Sequence, residues 1–165
     1  MNPPCIVVMG VSGCGKSTIG RRLADAVGVH YIEGDALHSP RNIGLMAAGV
    51  PLTDADRHGW LQEVAGQLNN PTAHAQGVVV ACSALKRAYR DLLRAGVPAL
   101  RFVHLHGAPA LLAQRLAARA GHFMPAALLQ SQLDTLELPG ADENAIVVGI
   151  DQPVDAIVDA VRQHL

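Results

Sequence analysis

The residues Gly10-Val11-Ser12-Gly13-Cys14-Gly15-Lys16-Ser17 fit the pattern G-x-x-x-x-G-K-[ST], and their flanks suit it. A Val/Ile-rich run over 6–9 precedes them, and a helix opening with Thr18 and Ile19 follows. Glycines let the backbone curl so that several N–H groups converge on one set of phosphate oxygens, and the positive end of the helix dipole adds to the attraction. Lys16 brings a compact charge to β- and γ-phosphates, and Ser17 offers a hydroxyl to Mg²⁺. A chance glycine-rich turn is the bland alternative. The complete motif, correctly flanked, speaks against it.

Beyond the loop, short β-branched runs alternate with Ala/Leu-rich segments of helical period. They predict strands over 6–9, 30–32, 78–82, 100–105 and 145–148. Helices are predicted over 16–27, 40–48, 54–68, 86–95, 109–118, 125–137 and 154–164. Thr53 is placed to cap the third helix, and Pro153 sits where the last one begins. Strands apolar on both faces and separated by helices imply a parallel five-stranded sheet covered on both sides. The 165 residues hold no repeat, low-complexity tract or linker, so a single α/β domain over 1–165 is expected. A chain of this size buries about 70% of its unfolded surface, enough to fold without disulfides or a structural metal.

Composition removes several classes. With 13 Lys+Arg against 14 Asp+Glu the net charge is -1, which offers no broad basic face for nucleic acid. The apolar runs are strand-sized, so no membrane span is expected. Cys5, Cys14 and Cys82 are odd in number and form no C-x-x-C, and no signal peptide is recognisable; the expectation is a reducing cytoplasm. Eleven of the 13 basic residues are arginine, and the two lysines are Lys16 and Lys86.

The loop indicates a nucleotide but no reaction. The strand over 78–82 lacks the terminal Asp of a Walker B site, and no Asn-Lys-x-Asp marks guanine. What remains is a small-molecule or nucleotide kinase whose acids come from elsewhere. Tyr31-Ile32-Glu33-Gly34-Asp35 puts two carboxylates at the C-terminal edge of a strand, where open α/β sheets bind ligands. If the strand continues, both side chains point the same way. Asp35 is then expected near an acceptor hydroxyl, whose proton it takes, and Glu33 behind the Mg²⁺ waters. Ordinary solvated turn acids are the alternative.

The stretch Gly34-Asp35-Ala36-Leu37-His38-Ser39-Pro40-Arg41-Asn42-Ile43 closely resembles the gluconate kinases, small P-loop enzymes related in fold to shikimate and adenylate kinases. Supporting segments are Met46-Ala47-Ala48-Gly49-Val50-Pro51-Leu52, Asp54-x-Asp56-Arg57-x-x-Trp60-Leu61 and Cys82-Ser83-Ala84-Leu85-Lys86 with Tyr89-Arg90-Asp91. Arg115, Arg119, Gly121-His122-Phe123 and Leu138-Pro139-Gly140-Ala141-Asp142-Glu143 complete the match, which covers nearly the whole chain. The resemblance implies a three-layer fold like that of the P-loop nucleoside-triphosphate hydrolases, with a small lid over 119–125. It implies transfer of the γ-phosphoryl of ATP to the 6-hydroxyl of D-gluconate, with Mg²⁺, and suggests a homodimer. Gly10, Val11, Ser12, Gly13, Cys14, Gly15, Lys16, Ser17 and Thr18 would hold the ATP phosphates. Asp35 would face the sugar acid, with His38, Arg41, Arg57, Lys86 and Arg90 as candidates for its pocket. Ala36 departs from the bulkier residues usual there, which bears on pocket shape.

Gluconate carries its carboxylate at one end and the reacting hydroxyl at the other, so a cation is needed away from the phosphate loop. Lys86 and Arg90 are i, i+4 and would share a helix face, although a plain solvated face explains such residues too. Arg115 and Arg119 are also i, i+4. By analogy with kinases of this fold, Arg119 is expected at the transition state and Arg115 against adenine, with Asp151-Gln152-Pro153 as the second wall. Surface ion pairing is the alternative for both. His104 and His106 alternate on one strand without a further ligand at zinc spacing, which favours packing. Cys14, beside Lys16 and a helix N-terminus, is expected to be prone to oxidation. A kinase for another polyol acid such as shikimate, or an ATP-binding sensor, are the competing readings; an acceptor base argues against the sensor.

A tight phosphate cradle accepts a point-like ammonium and not a broad planar guanidinium. Lys16→Arg is therefore expected to cut kcat by about a hundred-fold or more despite its unchanged charge, measured as ATP-dependent turnover.

Overall fold

The computed structural model describes residues 3–70, 73–118 and 126–165. Strand β1 (Cys5–Met9) runs into the phosphate loop, and helix α1 (Lys16–Val27) leaves it. Then follow β2 (His30–Glu33), a 3-10 turn (Gly34–Leu37), α2 (Pro40–Ala47), α3 (Asp54–Leu68) and β3 (Val78–Ala81). The second half holds α4 (Arg87–Gly96), β4 (Arg101–His106), α5 (Pro109–Ala118), α6 (Ala126–Thr135), β5 (Ile146–Gly149) and α7 (Val154–Arg162). All five strands are parallel in the order β2-β3-β1-β4-β5. The chain order reverses across β1, which opens a crevice at the C-terminal ends of the strands.

Alternation along the strands builds a core on each face. Ile6, Val8, Val79, Val103 and Leu105 pack with Ile19 and Leu23 of α1 and Ile157 and Val161 of α7. Val7, Met9, Val78, Val80 and Phe102 pack the other way, against Trp60, Leu61 and Val64 of α3 and Leu93 of α4. This is why the central strands β1 and β3 read as unbroken apolar runs: neither of their faces meets water.

Helix boundaries follow local chemistry. Gly28 closes α1 in the left-handed region, its N–H donating to the Ala24 carbonyl. Thr53 caps α3 through a reciprocal box, the Asp56 N–H donating to Thr53 Oγ1 at 3.1 Å and the Thr53 N–H to Asp56 Oδ2 at 2.9 Å. That Thr53 N–H, with Arg41, holds the Asp56 carboxyl down at about 2. Helix α6 stops at Thr135, short of the expected 137, because the Glu137 N–H is taken by the Leu85 carbonyl at 2.8 Å.

One expectation fails. Strand β2 does not carry on through Asp35; it ends at Glu33 and tightens into the 3-10 turn, so Glu33 and Asp35 are not alternate residues of one strand. Gly34 presses directly against the neighbouring strand, where a Cβ would stand 2.2 Å from the Ala81 carbonyl oxygen. Its own carbonyl accepts the Trp60 indole N–H at 2.8 Å. Because the obstruction is backbone, Gly34→Ala forces β2 and β3 apart. A loss of about 1–3 kcal/mol is expected, read as a lower urea midpoint.

Candidate active site

The phosphate loop is shaped by positive φ at Gly10 (146°), Gly13 (86°) and Gly15 (92°). At Gly10 sterics add a second demand, since a Cβ would lie 2.8 Å from Cys14 Sγ and 2.9 Å from the Leu105 carbonyl. Gly15 occupies the N-cap of α1 with no side-chain cap, which leaves the first N–H groups of the helix for an anion. Lys16 Nζ bonds the Val11 carbonyl at 3.1 Å. Ser17 Oγ donates to Glu33 Oε2 at 2.5 Å, and the Tyr31 hydroxyl donates to the same oxygen at 2.7 Å. Burial, then the Glu33 carboxylate, raise the Tyr31 hydroxyl far above its usual range, so it stays a donor. Glu33 is thus held at the mouth of the loop despite the early end of β2.

Beside the loop lies a cleft lined by Ser12, Lys16, Asp35, His38, Arg57, Trp60, Ser83 and Gln132, among others. His38 stacks on Trp60 with ring centroids 4.1 Å apart and planes 16° from parallel. Asn42 Nδ2 donates to the Asp56 carbonyl at 2.8 Å and meets His38 Nδ1 at 3.3 Å. Nδ1 is therefore the acceptor, and the proton sits on Nε2. Burial lowers the His38 pKa, against the pull of Asp35, and the ring stays a neutral donor. Arg57 is steadied by a hydrogen bond to the Tyr89 hydroxyl (3.0 Å) and lies over the Tyr89 ring at 5.6 Å.

The other expected pocket cations do not line this cleft. Arg41 pairs with Asp56 on the surface, and Lys86 binds Asp54 at 2.9 and 3.2 Å. Lys86 is also the N-cap of α4 rather than a helical residue, so the shared i, i+4 face with Arg90 does not form. Arg90 has no exposed surface at all. Its Nε donates to Glu143 Oε1 at 2.7 Å, and its Nη1 to the carbonyls of Ala84 (2.9 Å) and Leu85 (3.2 Å). Its donors are committed to the protein, and Arg90 does not line the cleft. It holds the turn at Ala84, a non-glycine residue at φ 46°, whose neighbours Ser83 and Leu85 line the cleft.

A second cleft, on the other side of the loop, is lined by Gly13, Cys14, Gly15, Thr18, Arg115, Gln152 and Val154. Arg115 Nη2 donates to the Ile150 carbonyl at 2.6 Å, which joins α5 to the segment before α7. Pro153 is the N-cap of α7, and its neighbours Gln152 and Val154 form that wall. Arg119 and the lid over 119–125 lie outside the described residues. Cys14 is buried in the core on the α1 face, which opposes the expected oxidation, since reactive thiols need access. His104 is buried edge-on to His106, and burial, then His106, hold it at about 4; among the described residues no group of His, Cys, Asp and Glu is arranged to hold a metal. Ala36 is exposed in the 3-10 turn and is not among the residues lining the cleft.

Three contacts were missed in reading the sequence: Trp60 to Gly34, Gln132 to Ser12, and Arg90 to Glu143. Only the i, i+3, i+4 spacing of Leu128, Ser131 and Gln132, all lining the cleft, could have pointed to the second.

The shikimate kinase family model matches residues 12–162. The gluconokinase of Gluconobacter oxydans (strain 621H) is 47% identical over 164 residues, covering 99% of this chain and 92% of that protein. The crystal structure of a gluconokinase from Sinorhizobium meliloti 1021 superposes with a TM-score of 0.88 at 51% identity, covering 96% of this chain and 89% of that one. The chain belongs to the gluconokinase family. The Mycobacterium tuberculosis APS kinase, 19% identical with a TM-score of 0.69 over 98% of this chain and 96% of that one, shares the P-loop kinase fold.

In this member of the gluconokinase family the cleft beside the phosphate loop leans on a buried ion cluster. Arg94 joins Arg90 on Glu143 at 2.8 Å, and Glu143 Oε2 also accepts the Gly140 N–H at 2.8 Å. Burial would raise the Glu143 carboxyl, but Arg90, the Gly140 N–H and Arg94 outweigh it and hold it at about 2. Arg90→Met, which leaves buried Glu143 with Arg94 and the Gly140 N–H alone, is expected to cost about 3 kcal/mol in thermal unfolding, with partial recovery on adding Glu143→Met. Because the folded pKa lies below the ordinary 4.5, this stabilisation is complete above pH 4.5 and is lost as pH falls towards 2. Glu143→Gln should flatten that part of the acid-stability curve.

Proposed function

We propose that the protein transfers the γ-phosphoryl group of ATP to the 6-hydroxyl of D-gluconate, giving ADP and 6-phospho-D-gluconate. The observation that carries this reading is one cleft in which Asp35, the phosphate-loop Lys16 and Arg57, the one arginine lining it among the described residues, are brought together. Asp35 accepts the proton of the attacking hydroxyl while Lys16 offsets charge on the transferring group. Arg57, already oriented by Tyr89, anchors the carboxylate, and neutral His38 donates from Nε2 to a hydroxyl. Cations on both sides of the acceptor fix its extended chain for in-line attack.

On the nucleotide side the free N–H groups at Gly15 and the start of α1 receive the phosphates. Arg115, Gln152 and Val154 bound the adenine site. The Ser17 hydroxyl and Glu33 carboxylate, 2.5 Å apart, form the hard oxygen donor set that suits Mg²⁺, with Glu33 reaching the ion's waters. When bound, Mg²⁺ neutralises charge on the β- and γ-phosphates. Arg119 from the 119–125 lid completes the transition-state charge, and lid closure keeps water from taking the phosphoryl group. Among the described residues no helix is long and apolar enough to cross a membrane, and Cys5, Cys14 and Cys82 are free thiols, which supports a reducing cytoplasm. The homodimer suggested by the family resemblance is kept as part of this proposal.

ADP release measured across a panel of sugar acids and shikimate tests the assignment; gluconate should stimulate it most, and no rise above background ATPase overturns the reading. Asp35→Asn is expected to lower kcat about 10²–10⁴-fold while ATP binding persists. Arg57→Ala should raise the gluconate KM about ten-fold or more with the ATP KM little changed.

A further inference from the structure

Gln132 of α6 reaches across the cleft to the phosphate loop, where its Oε1 accepts the Ser12 N–H at 2.7 Å. A backbone N–H only donates, so the amide orientation is settled: the oxygen faces Ser12 and the –NH₂ group is turned to other partners. Among the described residues that nitrogen has no protein hydrogen bond, and Gln132 lines the same cleft as Lys16 and Asp35. Its half-buried position, one turn along from Leu128 and beside Ser131, places a fixed neutral donor next to the loop.

We propose that Gln132 is a specificity-determining residue for the phosphoryl acceptor, presenting an N–H donor to one hydroxyl of the acceptor chain. This rests on the cleft being the acceptor site. Lys16 and Arg57 attract any small anion and cannot by themselves separate acceptors of equal charge. An amide whose oxygen is already committed adds direction without charge, and a site built to bond a hydroxyl rejects analogues lacking it because its own donor is left unpaired. The Ser12 bond also pins the amide, so little rotamer freedom is lost when substrate arrives.

The test compares kcat/KM for D-gluconate and its 2-, 3-, 4- and 5-deoxy analogues in wild type and Gln132→Met. Wild type should lose about ten-fold on one particular deoxy analogue, and Gln132→Met should lose about that much on gluconate but nothing further on that analogue. A purely structural role for Gln132 would lower every acceptor by the same factor, and that result, or an unchanged gluconate value in Gln132→Met, overturns the proposal. Gln132→Glu keeps an oxygen for Ser12 and loses the donor, but its added charge weakens every anionic acceptor. Should the Met variant fail to fold, the test is therefore read from the ratio of gluconate to the deoxy analogues, which must narrow for one analogue alone; an unchanged ratio overturns the proposal. Wild type without gluconate-dependent ADP release would instead remove the acceptor-site reading on which the proposal stands.

Discussion

The contact of Gly34 with β3 is the constraint on which the cleft beside the phosphate loop depends. No side chain fits between Gly34 and the Ala81 carbonyl, so the end of β2 lies flat on its neighbour. The Trp60 indole then binds the Gly34 carbonyl, and His38 stacks on the indole. Glu33 on one side of the glycine turns to Ser17, and Asp35 on the other faces the cleft. A single close approach therefore divides two neighbouring carboxylates, one turned to Ser17 of the phosphate loop and one to the cleft.

Charge is used in two different ways around this frame. Among the described residues Arg57 in the cleft has only a neutral hydroxyl as hydrogen-bond partner, which leaves its charge available to an anion. Arg90 is spent internally, on a carboxylate and two carbonyls, where an uncompensated charge would be costly. The outer pairs Arg41–Asp56 and Lys86–Asp54 are solvent-exposed on at least one side and are worth little in stability. Burial of Lys86's partner is slight, and Asp54 is lowered first by the Tyr89 hydroxyl and then by Lys86, which ties this surface pair to the residue that steadies Arg57. The roles of Lys16 and Lys86 thus part: one lies in the phosphate cradle and lines the cleft, the other belongs to the rim.

Much of the fold is legible from residues close in sequence. Glycines at 10, 13 and 15 need positive φ, Thr53 and Asp56 are three residues apart, and apolar periods are set by the strand and helix repeats themselves. These features placed α1, α3 and α5 at their observed bounds and the strands within a residue or so. Asp35, singled out by its strand-end position, lines one cleft with His38 and Arg57, which the family resemblance brought forward. Spacing misled where it assumed a continuous element: β2 ends before Asp35, and Lys86 stands outside α4.

The sequence by itself determined the phosphate loop, the α/β alternation and the family, because backbone conformation and burial period are written in local runs. Tertiary structure alone decided which cations line the cleft and which are bound to the protein's own groups. Arg90 meets Glu143 across 53 positions, and Gln132 meets Ser12 across 120. An arginine carries the same charge in either role, and its partner is chosen by how helices settle on the sheet, which no local spacing encodes. Cys14 follows the same rule: its neighbours in sequence suggested a reactive thiol, and packing against the core closed it off.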